Sequence, residues 1–384
     1  MQFLVYAAAF LTSLGQAMIS LSMPLLAIHR FGARNFQLGL LAAGGAGVYT
    51  VVALSSGRIS ERLPARLQFP ASSLMLAIIY CLMLHAPAFV LLLFLNILTG
   101  VATGLLWAPL EGVLSRLSEP ARMRRNMGRY NLAWSLGMTA GFFLFSCLDA
   151  QGFEQTMAKA FHGGATLVFL TGVMLLFLRA PHAGSEEVAG AVNGANSQFD
   201  PRRRFFLMTA WSALFVAYVG IGAARQLFPK LATECAVSPE TIGRIYAVGL
   251  AAQTIGMATM GRYQGWHYRK GTFYIGEIGI LIAAVLIAAG RSPLQFASGH
   301  VVLGFSLAIL YSCSLYYSME DSVRAHHNTS VHEGIIGTAA SMSLLLGFLA
   351  DRFHFTPLSF YLSAAVMLLF LTAHWGMTVT RNRS

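Results

Sequence analysis

Charged residues are scarce in this chain and make up only 11% of its 384 residues, against about a quarter in soluble domains. Cysteine is scarcer still, and no two of its four residues (Cys81, Cys147, Cys235 and Cys313) have the spacing of metal ligands. The run Gly44-Gly45-Ala46-Gly47 lacks the Lys-Ser/Thr of a phosphate-binding loop. No nucleophile–base pair is visible. We therefore expect no disulfide framework, no metal site, no cofactor, no ATP hydrolysis and no enzymatic activity.

Long hydrophobic runs dominate what is present, with 56% hydrophobic residues and a mean hydropathy of +0.62. A helix crosses a bilayer with roughly 20 apolar residues, and continuous rather than alternating runs disfavour a β-barrel. The first run has no basic segment before it, so we do not interpret it as a cleaved signal peptide. The sequence predicts an all-α integral membrane protein with twelve spans, near 3–29, 36–56, 70–86, 88–115, 128–149, 162–180, 204–229, 239–260, 272–290, 293–317, 330–350 and 357–378.

Basic residues indicate the orientation, because they are enriched in cytoplasmic loops. Most of the 26 Lys and Arg residues fall on the side of the two termini if the span count is even. We therefore expect a multi-pass protein of the inner membrane with both termini cytoplasmic. The net charge of +11 then reflects topology, and no nucleic-acid partner is expected.

The second half of the chain echoes the first at a nearly constant offset. Gly57-Arg58 and Gly261-Arg262 are 204 residues apart, as are Gly100 and Gly304. Between the halves, a segment rich in Gly, Ala, Ser and Asn reads as a flexible linker. The pattern predicts two parallel six-helix repeats, with an N-terminal bundle over 1–180, a cytoplasmic linker over 181–203 and a C-terminal bundle over 204–384.

A charged stretch between the second and third spans resembles a loop of the major facilitator superfamily (MFS). That loop reads glycine, three spacers, an acid, arginine, a spacer, glycine and two basic residues. Gly57, Glu61, Arg62 and Arg66 fit, whereas Pro64 and Ala65 depart from the pattern. The resemblance implies two bundles around a cavity that opens alternately to each side. It also implies a cytoplasmic latch of Gly57, Glu61, Arg62 and Arg66, with a degenerate copy at Gly261 and Arg262.

The fifth span resembles the antiporter motif of the same family only in part. Gly137 and Gly141 fit its glycines, but Phe142 stands where proline is expected. The departure weakens any inference of drug–proton antiport.

Polar residues follow one face of the fourth span. Asn96, Thr103, Trp107 and Glu111 lie on this face together with Gly100, at spacings of three or four residues. By the resemblance, spans 1, 4, 7 and 10 line the cavity, which also makes Gln16 of span 1 a candidate. Glu111 is either a proton or cation site in the cavity or an acid near the surface that pairs with Arg116.

Three further charged residues fall in or at the ends of predicted spans, where charge is costly and often functional. Glu333 either couples protons or closes a capping box with Ser330 at the start of span 11. Arg225 either anchors an anionic group or snorkels to the surface. We expect Glu277 to pair with Arg269 or Lys270 near the membrane surface.

Aromatic residues on spans that also carry polar neighbours are candidates for stacking on an organic solute. The preferred candidates are Trp107, Trp134 and Tyr311, although aromatics also pack and form interfacial belts. The hypothesis is a monomeric secondary transporter of a small organic solute in the lipid bilayer, with proton coupling left open. The alternatives are an uncoupled facilitator of the same fold and a non-transporting receptor or assembly protein.

Overall fold

The computed structural model describes residues 1–119, 122–148, 152–178, 201–263, 265–320 and 325–381, with side chains omitted at 56–62, 115, 123–124, 325–327 and 377–381. Fourteen helices lie in these residues and no strand does. Their bounds are α1 Gln2–Phe31, α2 Asn35–Arg62, α3 Ala65–Leu84, α4 Phe89–Arg116, α5 Met123–Ser146, α6 Phe153–Leu175, α7 Pro201–Gln226, α8 Phe228–Glu234, α9 Pro239–Arg262, α10 Lys270–Ala289, α11 Pro293–Met319, α12 Ala325–Ser341, α13 Ser343–Arg352 and α14 Leu358–Arg381.

Twelve long helical segments match the twelve predicted spans. Within the described residues, ten of these segments are long and apolar enough to cross a membrane. Helices α12 and α13 are counted here as one segment. The other two, α5 and α9, are as long but more polar, and they pack against each other and against α1 and α11. Their polar side chains can therefore face protein rather than lipid.

Two helix starts carry a serine cap, whereas the capping box predicted above is wrong. Ser238 accepts a hydrogen bond from Thr241 N at 3.3 Å, and Ser292 forms a capping box with Gln295. The box predicted from Ser330 to Glu333 is wrong, because α12 already begins at Ala325 and both residues lie inside it. Thr356, just before α14, donates its hydroxyl to Glu234 at 3.0 Å.

The charged stretch at 57–66 was predicted as a turn between spans, and most of it is helical. Helix α2 continues to Arg62 and α3 begins at Ala65, so only two residues connect them. In a helix the backbone N–H and C=O groups form hydrogen bonds with each other, so a helical stretch is as compatible with the membrane surface as a loop is.

The cytoplasmic linker over 181–203 remains a prediction, since residues 179–200 lie outside the described part of the chain. Helix α7 begins at Pro201, so 201–203, assigned to the linker, are helical.

The internal repeat is visible in how the glycines pack. A Cβ at Gly100 of α4 would meet the carbonyl oxygen of Gly45 and the backbone nitrogen of Tyr49 in α2. A Cβ at Gly304 of α11 would meet the same two backbone atoms of Gly249 and Gln253 in α9. All three pairs of positions are 204 residues apart, so both halves use the same close helix crossing.

The two halves meet mainly along α2 with α12–α13 and along α5 with α9. We call the face where α1 begins and α2 ends the first face, and the face where α1 ends and α2 begins the second face. Among the described side chains, the hydrogen bonds and ring contacts between the halves lie in the middle of the bundle or on the second face. The structure is therefore closed on the second face.

Candidate functional site

A cavity of about 290 Å³, which we call the central cavity, lies between the two halves. It extends from the middle of the bundle toward the closed second face. Helices α1, α2 and α4 of the first half and α7 and α12 of the second half form its walls. Its polar lining residues are Tyr49, Asn96, Thr99, Thr103, Tyr218, Arg225 and Gln226.

Two polar residues on α4 are held by backbone carbonyl groups. Asn96 donates Nδ2 to the carbonyl oxygen of Leu41 in α2 at 2.6 Å, and Thr103 donates its hydroxyl to Thr99 O at 2.6 Å. Both bonds hold the side chains against a helix backbone. The hydrogen-bonding capacity that Asn96 and Thr103 do not use in these bonds is available to a ligand in the cavity that they line.

Arg225 lies near the end of α7, at the second-face end of the central cavity. Its guanidinium makes no hydrogen bond or ion pair with the residues that the structure describes, and no Asp or Glu lines the cavity. Arg225 also lines a smaller cavity of about 30 Å³, the side cavity, together with His300 and Gln253. The structure thus places Arg225 inside the bundle rather than at a lipid-facing surface.

A carboxylate pair lies between the central cavity and the first face. Glu333 of α12 accepts a hydrogen bond from the hydroxyl of Tyr49 at 3.3 Å. Glu111 of α4 interacts electrostatically with Glu333 and with the hydroxyl of Tyr130. The two acids come from opposite halves, so their mutual repulsion depends on how the halves are arranged.

Gln16 and Trp107 form one polar contact within the first half. The indole Nε1 of Trp107 donates to Gln16 Oε1 at 3.2 Å, and the Trp107 ring meets Tyr130 edge-on with centroids 6.3 Å apart. Neither side chain lines the central cavity as it stands. They lie beside the carboxylate pair, toward the first face.

Trp134 and Tyr311 meet across the two halves. Their ring centroids are 6.3 Å apart, and Tyr311 also contacts the ring of His332 at 5.0 Å. Trp134 Nε1 donates to Asn131 at 3.1 Å, and His332 Nδ1 shares a 2.8 Å hydrogen bond with Ser314. This aromatic contact lies in the middle of the bundle, where it packs the halves together.

The prediction that Glu277 pairs with Arg269 or Lys270 is wrong. Glu277 is fully buried and accepts a hydrogen bond from His374 Nδ1 at 2.9 Å. His374 lies on α14, 97 residues later in the chain, a distance over which sequence spacing carries no information.

The predicted latch is described only in part. Gly57, Glu61 and Arg62 belong to α2, but their side chains lie outside the described residues. Arg66, Gly261 and Arg262 are exposed on the first face. The latch stays a prediction.

Metal binding finds no support in the described residues, which contain no group of three or more His, Cys, Asp or Glu residues that could hold an ion.

The sequence analysis did not identify Tyr49, Gln253 or His300 as site residues. The internal repeat holds the signal that finds them. Tyr49 and Asn96 line the central cavity, and the positions 204 residues later are Gln253 and His300, which line the side cavity. Equivalent positions of a repeat lie on equivalent helix faces.

Comparison with known proteins agrees with this architecture. The family model of the Major Facilitator Superfamily matches residues 5–332. Among solved structures, a mutant of the nucleoside transporter NupG is similar with a TM-score of 0.76 and 12% identity, over 98% of this chain and 99% of the other. The E. coli xylose transporter XylE in a partially occluded inward-open conformation gives a TM-score of 0.73 and 13% identity, over 98% of each chain.

A third similar structure is the human organic anion transporter MFSD10, with a TM-score of 0.60 and 18% identity over 97% of this chain and 98% of the other. No curated protein matches the sequence. At these identities the structural likeness concerns the fold alone.

Proposed function

Because the chain belongs to the Major Facilitator Superfamily, a family of membrane transporters and not of enzymes, we propose that it is a secondary transporter that moves a small organic solute by alternating access. The observation that carries the proposal is the central cavity, whose walls come from both halves of the molecule. A solute bound there contacts both halves at once. Its binding can therefore bias how the halves pack, which alternating access requires.

The conformation in the structure fits one end of such a cycle. Close helix contacts seal the second face, where α2 packs on α13 through Gly39 and Gly347, and where α9 packs on α5 through Gly243. The basic-residue pattern favours a cytoplasmic first face. On this orientation, we propose that the conformation is an inward-facing state in the inner membrane, with both termini inside, and that the protein works as a monomer.

The carboxylate pair favours proton coupling over uncoupled facilitation. Glu111 and Glu333 come from opposite halves and interact with each other. Two carboxylates that interact repel each other when both are ionised, and a proton bound to either one relieves that repulsion. A movement of the halves that separates them would release that proton, which links proton binding to the conformational cycle.

Flux in proteoliposomes tests the proposal. Vesicles loaded with unlabelled solutes are assayed for counterflow of the labelled compound, and a pH gradient is then imposed. Thr103→Trp should abolish exchange because the larger side chain fills the central cavity, whereas the near-isosteric Thr103→Val should retain it. This pair of results would support transport through the cavity. Failure of every solute of a broad panel to exchange, with the protein folded, would support a non-transporting role.

The orientation is tested separately. A fluorescent protein fused after Ser384 should fold and fluoresce on the cytoplasmic side, whereas alkaline phosphatase at the same place should be inactive. The opposite result would place the first face outside.

A further inference from the structure

The side cavity contains buried polar atoms that have no hydrogen-bond partner among the residues that the structure describes. His300 is 4% exposed and its Nε2 makes no hydrogen bond, and Gln253 is 2% exposed and its Nε2 makes none. Burying a polar group without a partner costs free energy that folding normally avoids. Two such groups line the same small cavity, so a polar ligand bound there would supply the missing hydrogen-bond partners.

Arg225 adds an unpaired cation at the same place. Arg225 lies between the two cavities, since both are lined by Arg225 and by Ile221, one helical turn before it. No acid lines either cavity within the described part of the chain. A guanidinium offers a planar fork of N–H donors that matches a carboxylate, so the missing partner has the chemistry of an anion.

The hydrogen-bonding state of His300 is fixed by its other ring nitrogen. Nδ1 lies 2.9 Å from the carbonyl oxygen of Phe296, and a carbonyl oxygen can only accept. Nδ1 therefore carries the proton, and Nε2 of the neutral ring is an acceptor. The ring is held in this orientation by Phe228 and Tyr246, with centroids 4.4 Å and 5.4 Å away.

The site therefore offers donors and an acceptor side by side. Arg225 and the amide of Gln253 donate, whereas His300 accepts. Its volume of about 30 Å³ holds about two water-sized groups, which is the size of a carboxylate. The rest of a ligand would extend into the central cavity, where Met23, Leu41 and Ile336 form apolar walls.

We infer that Arg225, Gln253 and His300 form a binding subsite for the carboxylate of a small organic acid that carries a hydrogen-bond donor, such as a hydroxyl group, on the adjacent carbon. Arg225 and Gln253 bind the carboxylate and His300 accepts from the neighbouring donor. The inference rests on the proposed transport function in so far as the bound acid is the transported solute.

Binding of three matched probes to the purified full-length protein tests the subsite. 3-Phenyllactate has the acid and the hydroxyl group, 3-phenylpropionate lacks the hydroxyl group, and 3-phenyllactamide lacks the charge. Ligand-induced rise of the melting temperature reports each affinity by mass action. We expect 3-phenyllactate to bind about tenfold more tightly than 3-phenylpropionate and about 10- to 100-fold more tightly than the amide.

Three substitutions assign these preferences to residues. Arg225→Gln should lower the affinity for 3-phenyllactate about 10- to 100-fold and remove the preference for acid over amide, with Arg225→Lys intermediate. His300→Phe keeps the ring packing and should remove only the preference for the hydroxyl group. Gln253→Leu, which keeps the side-chain size, should weaken both acids alike. Arg244→Gln is the matched control, since Arg244 is exposed on α9 and lines neither cavity.

The outcomes separate this inference from the transport proposal. Equal binding of acid and amide, no binding of either acid, or an unchanged acid preference in a folded Arg225→Gln protein would overturn the subsite, whatever other solutes exchange in vesicles. If 3-phenyllactate binds with the expected preferences and no solute exchanges, the subsite stands and transport does not.

Discussion

The carboxylate of Asp351 caps the first turn of α2 from the opposite half of the molecule. Its two oxygens accept the backbone N–H groups of Asn35 at 3.0 Å and Phe36 at 2.7 Å. Asn35 also donates its side-chain Nδ2 to Asp351 at 3.0 Å and to Thr356 at 3.1 Å. An acid at a helix N-terminus satisfies unpaired donors and the helix dipole. Here that cap also holds the second face closed.

Replacing Asp351 with alanine should therefore shift the molecule toward opening on the second face. Loss of a cap costs about 1 kcal/mol, which changes a two-state equilibrium about fivefold. The readout is labelling of Met23→Cys, which lines the central cavity, by an impermeant thiol reagent applied to the second face. The four native cysteines are replaced beforehand.

We expect Asp351→Ala to increase the labelling rate about fivefold, and Asp351→Asn to increase it less. Glu240→Ala, which removes an acid from the same face at the first turn of α9, should leave the rate unchanged. An unchanged rate in Asp351→Ala would mean that this cap does not hold the face closed.

Glu333→Gln and Glu111→Gln should each abolish accumulation of solute driven by a pH gradient but retain counterflow exchange. An amide cannot exchange a proton, yet it preserves the side-chain volume between the halves. Tyr49→Phe removes the hydrogen bond to Glu333 but keeps both acids, so that accumulation should persist at an altered rate. Accumulation that survives both carboxylate substitutions would exclude this pair from coupling.

Breaking the pair of Glu277 and His374 should destabilise the protein without changing transport per folded molecule. The side chains are 0% and 1% exposed, and the loss of one partner from such a pair costs about 3–5 kcal/mol. Glu277→Leu and His374→Leu should each lower the melting temperature markedly. The double variant should be more stable than the sum of the two losses predicts, because neither polar group remains alone.

Melting in detergent and exchange in vesicles measure the two effects. Additive losses in the double variant would contradict a direct interaction between Glu277 and His374. A transport defect in the well-folded double variant would assign the pair a further role.

Alanine at Gly100 or Gly304 should destabilise the two equivalent helix crossings. The added Cβ would overlap the carbonyl oxygen of Gly45 or of Gly249, and backbone atoms in a packed bundle cannot move aside freely. Overpacking of this kind costs about 1–3 kcal/mol.

The matched control is Gly128→Ala in α5, where a Cβ meets nothing within 4 Å. There alanine should stabilise the helix by about 0.5–1 kcal/mol. Melting temperatures in detergent provide the comparison. Equal effects at Gly100, Gly304 and Gly128 would show that the crossings tolerate a side chain.

The contacts that the sequence did not predict correctly at the site join residues that lie far apart in the chain. Glu333 was predicted either to couple protons or to close a capping box with Ser330, yet its hydroxyl partner is Tyr49 in the other half. Arg225 was predicted either to anchor an anionic group or to snorkel to the surface, because its position near the end of a span fits both. In the structure it lines the central cavity, and its role stays a prediction.

The sequence by itself determined the number, type and order of the membrane spans, because a run of apolar residues long enough to cross a bilayer is a local property. The predicted first span, 3–29, lies within α1, Gln2–Phe31. The sequence also contained the internal repeat. Only the tertiary structure decided which polar groups meet, such as Asn35 with Asp351 and Glu277 with His374, and which line one cavity, as Arg225, Gln253 and His300 do. Those contacts depend on how helices far apart in the chain cross, and on which backbone atoms the small residues allow to approach.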